Sequence, residues 1–316
     1  MRIKTNLINK NFFLKEIMEQ ISLQLKSVNP KVSVCSYEEN YYCADNFAQS
    51  SDPKTRPCEP INNDEYYVCI GIIQGNMKLK LNGALVKLKS NDYLVITPFT
   101  LVEIIETRCK FFMTAVRGVI CVDLFNMMGM EDNVMKGCYT FHHFHMYTQQ
   151  MGDMEQSFRT LRQCITREVP IKKEDLIKAR LSIYCTQAQD SLKNLKEIPH
   201  VAEGRYANLF AQFIALLDKD YIKEREVQYY AEQIGLLPKG LTSVAVTFAG
   251  KTASRIIDDY VAFYIKVALY NTKCNIGEVG EQFNFPSPSF FGRYFKRVTG
   301  LTPREYINMF SRNLAQ

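Results

Sequence analysis

The stretch from Cys274 to Asn308, CNIGEVGEQFNFPSPSFFGRYFKRVTGLTPREYIN, decides the fold of the C-terminal half. Asn275 stands where it can cap a helix, and Glu278, three residues on, can reach back to the free backbone N–H groups in a capping box. Ile276, Val279 and Phe283 then form one apolar stripe. The chain turns at Asn284, a residue type that tolerates a left-handed backbone, with Phe285 placed to fill the space between two helices. Ser287 or Ser289 can cap the next helix, Pro288 is accepted in its first turn, and Gly300 ends it. Along that helix Phe291, Phe295 and Val298 follow helical spacing and face inward, whereas Gly292, Arg293, Lys296 and Arg297 fall largely on the other side. Pro303 can open a further helix. A capped helix, a tight turn and an aromatic-basic helix in this order read as a helix-turn-helix. Its second helix offers a cationic face beside a small residue, as close approach to phosphates and base edges requires. The other reading, that Arg293, Lys296 and Arg297 are only a solvated helix face, suits a bare basic run better than one set in this framework.

Here the chain resembles the AraC/XylS transcription regulators. The resemblance rests on Ile276, Glu278, Phe283, Phe285, Phe290, Phe291, Arg293, Phe295, Lys296, Gly300, Thr302, Pro303 and Tyr306. It covers roughly residues 205 to 310 and, more weakly, the whole chain. It implies an all-α DNA-binding domain at 205–316 with two helix-turn-helix units, at about 226–250 and 275–300. The segment YYAEQIGLLPKGLTSVAVTFAGKT, Tyr229 to Thr252, fits the first unit, with Ala231, Ile234, Leu241 and Val244 at core positions, Pro238 starting the second helix and Gly250 closing it. Between the units, Ile257, Val261, Tyr264, Ile265, Ala268 and Leu269 repeat at helical spacing and predict one connecting helix over Ala253 to Tyr270. Its residues, at 1.5 Å each, make a strut of roughly 27 Å, which with the helix widths can hold two reading helices about one DNA turn apart. The first unit departs from the family pattern: Leu237 stands where a Ser or Thr cap is common, and Gly240 where an aromatic is usual. Its reading face, Lys239, Thr242, Ser243, Val246 and Thr247, carries one positive charge. The two halves are therefore expected to contribute unequally to salt-dependent affinity. The residues expected to touch DNA are Lys239, Thr242 and Ser243 in the first reading helix, and Ser289, Gly292, Arg293, Lys296 and Arg297 in the second.

The chain's 316 residues suffice for two domains, each with its own core. A net charge of +6 is compatible with a nucleic-acid partner but needs local concentration to matter. From Lys273 onward the basic residues Lys273, Arg293, Lys296, Arg297, Arg304 and Arg312 face only Glu278, Glu281 and Glu305, and they gather on the proposed reading helix. The ten cysteines are scattered without any Cys-x-x-Cys spacing, which predicts reduced thiols in a cytoplasmic protein, with Cys43 and Cys58 as a pair that could close under oxidation. The N-terminus is no secretory signal, and no apolar run approaches the roughly 20 residues that span a bilayer, so no membrane partner is expected.

Residues 9 to 28 read as an amphipathic helix carrying Phe12, Phe13, Ile17, Met18, Ile21 and Leu25. Asn40 to Asn63 is polar and proline-rich and reads as a long loop. From Glu65 to Val116 short strands follow: YYVCIGII, MKLKL, a hairpin turn at Asn82-Gly83, ALVKL, YLVIT and FFMTAV. They suggest a small barrel or jelly roll. Leu88 to Pro98 resembles the strand-turn-strand of the cupin-like sensor half found in many AraC-type regulators. The fold class expected is thus α+β: an N-terminal cupin-like β-barrel with a helical hairpin at 1–195, a linker at 196–204, and the all-α domain. The hairpin comprises two helices between about 151 and 197, broken near Pro170. Leu176, Ala179, Ile183, Ala188 and Leu192 form a stripe that could pair with its copy, the usual place of dimerisation by resemblance, or pack on the chain's own barrel. His142, His143 and His145 are read as lying on a connecting segment, with zinc binding by two of them as the alternative.

These features together predict a bacterial, sequence-specific regulator that binds double-stranded DNA, is controlled through its front half by a small-molecule effector or partner, and meets RNA polymerase if it activates. The competing class is a metal-dependent cupin enzyme with a DNA-binding tail. A repair methyltransferase fused to such a tail would show a reactive Cys next to Pro, but Cys58 is followed by Glu59. No Ser/His/Asp set, phosphate loop or paired carboxylates in a defined context stands out, so neither enzyme activity nor a cofactor is expected.

Overall fold

The computed structural model describes residues 33–37, 40–46, 61–62, 65–129, 137–167, 172–200, 204–270 and 275–311. The helix expected at 9–28, the break near Pro170, and Cys58 lie outside them. The chain divides into two compact units, one of residues up to 118 with 128–202, the other of 119–127 with 203–316.

The first unit is built on eight antiparallel strands: β1 (Ser33–Tyr37), β2 (Tyr41–Asp45), β3 (Ile61–Asn62), β4 (Tyr66–Leu81), β5 (Ala84–Lys89), β6 (Asp92–Ile96), β7 (Leu101–Arg117) and β8 (Phe141–His145). They run in one sheet in the order β1-β2-β7-β4-β6-β8, with β3 on β7 and β5 on β4. Strand alternation explains the nearly unbroken hydrophobic run of Tyr66 to Ile72, because both faces of this sheet are covered. Tyr66, Val68, Ile70 and Ile72 join Met77, Leu79, Leu81, Val86, Leu88, Leu94, Ile96, Phe111 and Met113 in one core cluster. Among the described residues the members of that cluster all come from strands. The opposite face is covered by α2 (Thr148–Thr166) and α3 (Lys173–Leu192), which follow α1 (Gly118–Met127). Phe112 meets Phe158 at 5.1 Å between ring centroids, and the Tyr93 and Tyr184 hydroxyls hydrogen-bond at 2.8 Å.

The strands differ from the sequence reading in length. YYVCIGII and MKLKL form one strand, and FFMTAV is the end of a 17-residue strand. Register shifts at Ile72/Gln74 and Lys78/Leu79 let β4 bend without leaving its partner. Gly75, at φ 95°, lies within this bend, and a Cβ there would stand 2.2 Å from the Arg108 carbonyl oxygen. The turn at Asn82 and Gly83 has both residues at positive φ and joins the paired Leu81 and Ala84, as a two-residue hairpin needs. Two expectations are corrected. Tyr41 to Asp45 is a fully buried strand inside the expected loop. His142, His143 and His145 stand on β8, paired with β6, and not on a connector. The expected linker at 196–204 is pinned at its start: Glu197 bridges Phe144, and the Ile198 N–H donates to the His143 carbonyl at 2.7 Å. In the helical hairpin, the expected stripe divides. Ala188 and Leu192 face inward with Ile177, Leu181, Tyr184 and Cys185, while Ala179 and Ile183 are exposed.

The second unit holds α4 (Arg205–Asp220), α5 (Val227–Gln233), α6 (Pro238–Ala249), α7 (Ala253–Tyr270), α8 (Ile276–Gln282), α9 (Pro288–Thr299) and α10 (Pro303–Ser311). The connecting helix α7 has the predicted bounds. Ile256, Ile257, Tyr260, Val261, Phe263, Ile265 and Leu269 leave hardly a solvent face, because α5 and α6 pack against it as well as α8, α9 and α10.

Candidate nucleic-acid interface

The local chemistry of the second unit places two reading helices by the same backbone device. After α5, Gly235 is left-handed and the Leu236 N–H donates to the Ala231 carbonyl at 2.8 Å. After α8, Asn284 is left-handed and the Phe285 N–H donates to the Gly280 carbonyl at 3.0 Å. Both reading helices begin on proline, Pro238 and Pro288, and both end on a left-handed glycine, Gly250 and Gly300.

The two differ at their N-termini. The capping box of α8 is complete, Asn275 Oδ1 accepting from the Glu278 N–H at 2.9 Å and Glu278 from the Asn275 N–H at 3.0 Å. Of the two serines offered by the sequence, Ser287 caps α9, its Oγ accepting from the Phe290 N–H at 3.3 Å. Leu237 precedes α6 with no side-chain cap. Phe285 fills the turn, 5.2 Å from both Phe291 and Tyr294, and Gly280 lets Phe291 approach the first helix closely.

On α9, Ser289, Arg293, Lys296 and Arg297 are exposed and Gly292 is partly covered, while Phe291, Phe295 and Val298 are buried. Arg293 lies over the Phe290 ring at 4.6 Å, and Phe290 is itself 55% exposed. Arg297 is held differently from its neighbours. Both its terminal nitrogens reach Asp258 on α7, at 2.9 and 3.1 Å. The hydrogen bond it donates to Asp258 raises the already high pKa of its guanidinium against the opposing effect of burial. On α6, Lys239 and Ser243 are exposed and Thr242 is half-buried, with Val246 and Thr247 completing an almost uncharged face. The structure thus brings the expected residues onto two helix surfaces, and adds Asp258 and Phe290, which sequence reasoning did not single out as part of the site. The acidic pair Asp258-Asp259 in an otherwise apolar helix was the available signal.

Within the second unit, Arg225 ties the segment before α5 to the turn after α8. Its Nη2 donates to the Ile222 carbonyl at 3.3 Å and to the Phe283 carbonyl across the turn, and its guanidinium stacks on Phe285 at 4.0 Å. Burial lowers its pKa.

The histidines form a separate cluster in the first unit. His145 Nδ1 lies 2.7 Å from Asp92 Oδ1, His143 Nε2 lies 3.0 Å from Asp92 Oδ2, and His143 Nδ1 lies 2.7 Å from His200 Nε2. His142 pairs with Glu197 at 3.0 Å. Burial pushes the Asp92 carboxyl up, but hydrogen bonds from His143, His145 and the Lys89 N–H outweigh it and hold its pKa below the ordinary value. Burial, reinforced by the charge of His143, lowers that of His200. Among the described residues, no group of three or more His, Cys, Asp or Glu side chains is arranged to hold a metal ion. The Nδ1 atoms of His142, His143 and His145 are engaged with Glu197, His200 and Asp92 respectively.

Among the described residues no helix is long and apolar enough to cross a membrane. Residues 230–309 match the family model described as a helix-turn-helix domain. The chain is similar to ToxT from Vibrio cholerae O395, with 14% identity, 89% of this chain and 98% of that chain covered, and a TM-score of 0.33. It is similar to the xylose-binding transcription activator xylR at 20% identity over 42% of this chain and 39% of that one, TM-score 0.29. It is also similar to a cupin protein from Bacteroides fragilis at 17% identity over 25% of this chain and 66% of that one, TM-score 0.22. No curated protein sequence matches it. The C-terminal part of the chain, residues 230–309, is thus a helix-turn-helix domain.

Proposed function

We propose that α6 and α9 enter successive major-groove segments of one duplex and read it in sequence-specific fashion. Lys239, Thr242 and Ser243 contact DNA from the first helix. Ser289, Gly292, Arg293 and Lys296 contact it from the second, while Arg297, which the sequence alone placed beside them, is matched in charge by Asp258 and orients α9. The observation that carries this reading is the solvent face of α9, where Arg293 and Lys296 stand exposed beside the partly covered Gly292 on a helix fixed from behind by buried aromatics. Residues 205–316 are the DNA-binding domain, 1–195 the sensor domain and 196–204 the segment that joins them.

The front half controls the regulator by binding a small molecule or a protein partner, a reading supported by an antiparallel sheet with one large apolar cluster. A homodimer forms through the helices in 151–195, where Ala179 and Ile183 leave an apolar strip on the outer side of α3, Ile183 being 48% exposed. The protein works in the bacterial cytoplasm, meets RNA polymerase if it activates, and performs no catalysis. Selection of bound duplexes from a random library, followed by gel-shift titration and genomic footprinting, tests the DNA reading. Enrichment of one motif with two half-sites about one helical turn apart supports it, and a library that stays unenriched overturns it. A thermal-shift screen of metabolites tests the sensor half, since a ligand of the folded state raises the melting point.

A further inference from the structure

Cys35 on β1 and Cys43 on β2 stand directly opposite each other in the antiparallel register, between the pairs Ser33/Asp45 and Tyr37/Tyr41. All three pairs lie on the same face of the hairpin, since side chains alternate along a strand. Cys43 is 0% exposed, whereas Cys35 is partly open to solvent. Arg162 of α2 donates to Asp45 and to Ser33 Oγ, the pair adjacent to Cys35/Cys43 on that face. Directly opposed residues on antiparallel strands fall within the Cα separation that a disulfide accepts, so closing this pair needs no change of register. The sequence reading paired Cys43 with Cys58 instead, because the intervening residues were taken as a loop.

We propose that Cys35 is an oxidation site of this protein, attacked by hydroperoxides and resolved by Cys43 into a cross-strand disulfide. The Cys35 thiolate attacks one peroxide oxygen, the O–O bond breaks, and the other oxygen leaves and takes up a proton as water or an alcohol. The resulting sulfenic acid is then attacked by the Cys43 thiol; an S–S bond replaces the S–O bond, and the Cys43 proton leaves with that oxygen as water. Two thiols are oxidised to one disulfide, one peroxide is reduced, and a dithiol reverses the change. The environment divides the two roles. The hydrogen bond from Cys43 chiefly, then Arg162, lowers the Cys35 thiol to about 7 against the opposing effect of burial. Burial pushes Cys43 well above its ordinary value, as does its bond to Cys35. One sulfur is thus an accessible nucleophile and the other a protected thiol within reach.

The full-length reduced protein is treated with equimolar hydrogen peroxide, the remaining thiols are alkylated, and peptides are mapped by mass spectrometry. A Cys35–Cys43 linked peptide appearing ahead of other thiol oxidation supports the assignment. In Cys43→Ser, Cys35 should instead be trapped as a sulfenic acid by a dimedone-type probe. Without any variant, alkylation of Cys35 in native protein at pH 7 should run at least about tenfold faster than that of Cys109, a partly exposed thiol that burial pushes up to about 12. Equal rates, or peroxide consumed first at another cysteine, would overturn the proposal.

Discussion

Arg297 and Arg293 lie one helical turn apart on α9, yet the structure gives them different charges as DNA would feel them. Arg293 faces solvent over an aromatic ring, while the charge of Arg297 is matched by both oxygens of Asp258. Each phosphate neutralised by a free cation steepens the dependence of log affinity on log salt by about 0.9. Removing Arg293 and Lys296 together should flatten that slope by about 1.8. Between roughly 50 and 200 mM salt, wild-type protein should then lose about twelvefold more affinity than this double variant. Lys239→Ala should flatten the slope by about 0.9, and Arg297→Ala should leave it nearly unchanged even where it weakens binding by loosening α9 on α7. Asp258→Asn provides the converse: freeing Arg297 should steepen the slope by about 0.9. The assay is fluorescence anisotropy on one selected duplex across a salt series. If Arg297→Ala flattens the slope as much as Arg293→Ala, or Asp258→Asn leaves it as it was, the division of labour drawn here is wrong.

Arg225→Met should cost roughly 2 kcal/mol in urea unfolding, since it leaves the carbonyl of Phe283 without its charged donor; Arg225→Lys should recover only part, because an ammonium cannot stack flat on Phe285 while bonding two carbonyls. Acidification should loosen the start of the linker. A histidine whose folded pKa lies below 6.5 costs nothing while it is neutral in both states, and it destabilises docking as pH falls below 6.5 and the released form takes up the proton. Asp92 acts in the same direction but only below its ordinary 3.8, so between about pH 5 and 6.5 the effect belongs to His200. Hydrogen-exchange protection of the Ile198 amide should therefore drop across that window, and His200→Phe should abolish the pH dependence. An unchanged protection factor would refute this. Gly75→Ala should lose about 3 kcal/mol or fail to accumulate as soluble protein, because its Cβ would meet backbone on the neighbouring strand; wild-type stability would show that the bend relaxes.

Features legible in the sequence were those set by near neighbours in the chain. Asn275 with Glu278, Pro238 and Pro288, Asn284, Gly250 and Gly300 mark helix ends through contacts a few residues long, and each does so in the structure. The Asn82-Gly83 turn is of the same kind. Two strands escaped because their composition imitates other states: YYCAD begins in a polar stretch, and FHHFH carries three imidazoles whose partners, Asp92, Glu197 and His200, are distant in the chain. The expected Leu176-Ala179-Ile183-Ala188-Leu192 stripe combined positions that are not on one face of α3. The partner of Arg297 is 39 residues away and that of Arg225 58 residues away, separations at which no local pattern reports a contact. The surface charge of α9 was readable, but which of its cations is already neutralised was not.

The burial of α7 on nearly every side means that neither helix-turn-helix owns a hydrophobic core of its own. Excising either one would strip α7 of part of its cover and expose buried apolar residues of that helix to water. The fragment should aggregate or stay unfolded, and the two groove readers should melt in a single transition. Evolution can change their specificities one at a time, but can never part them.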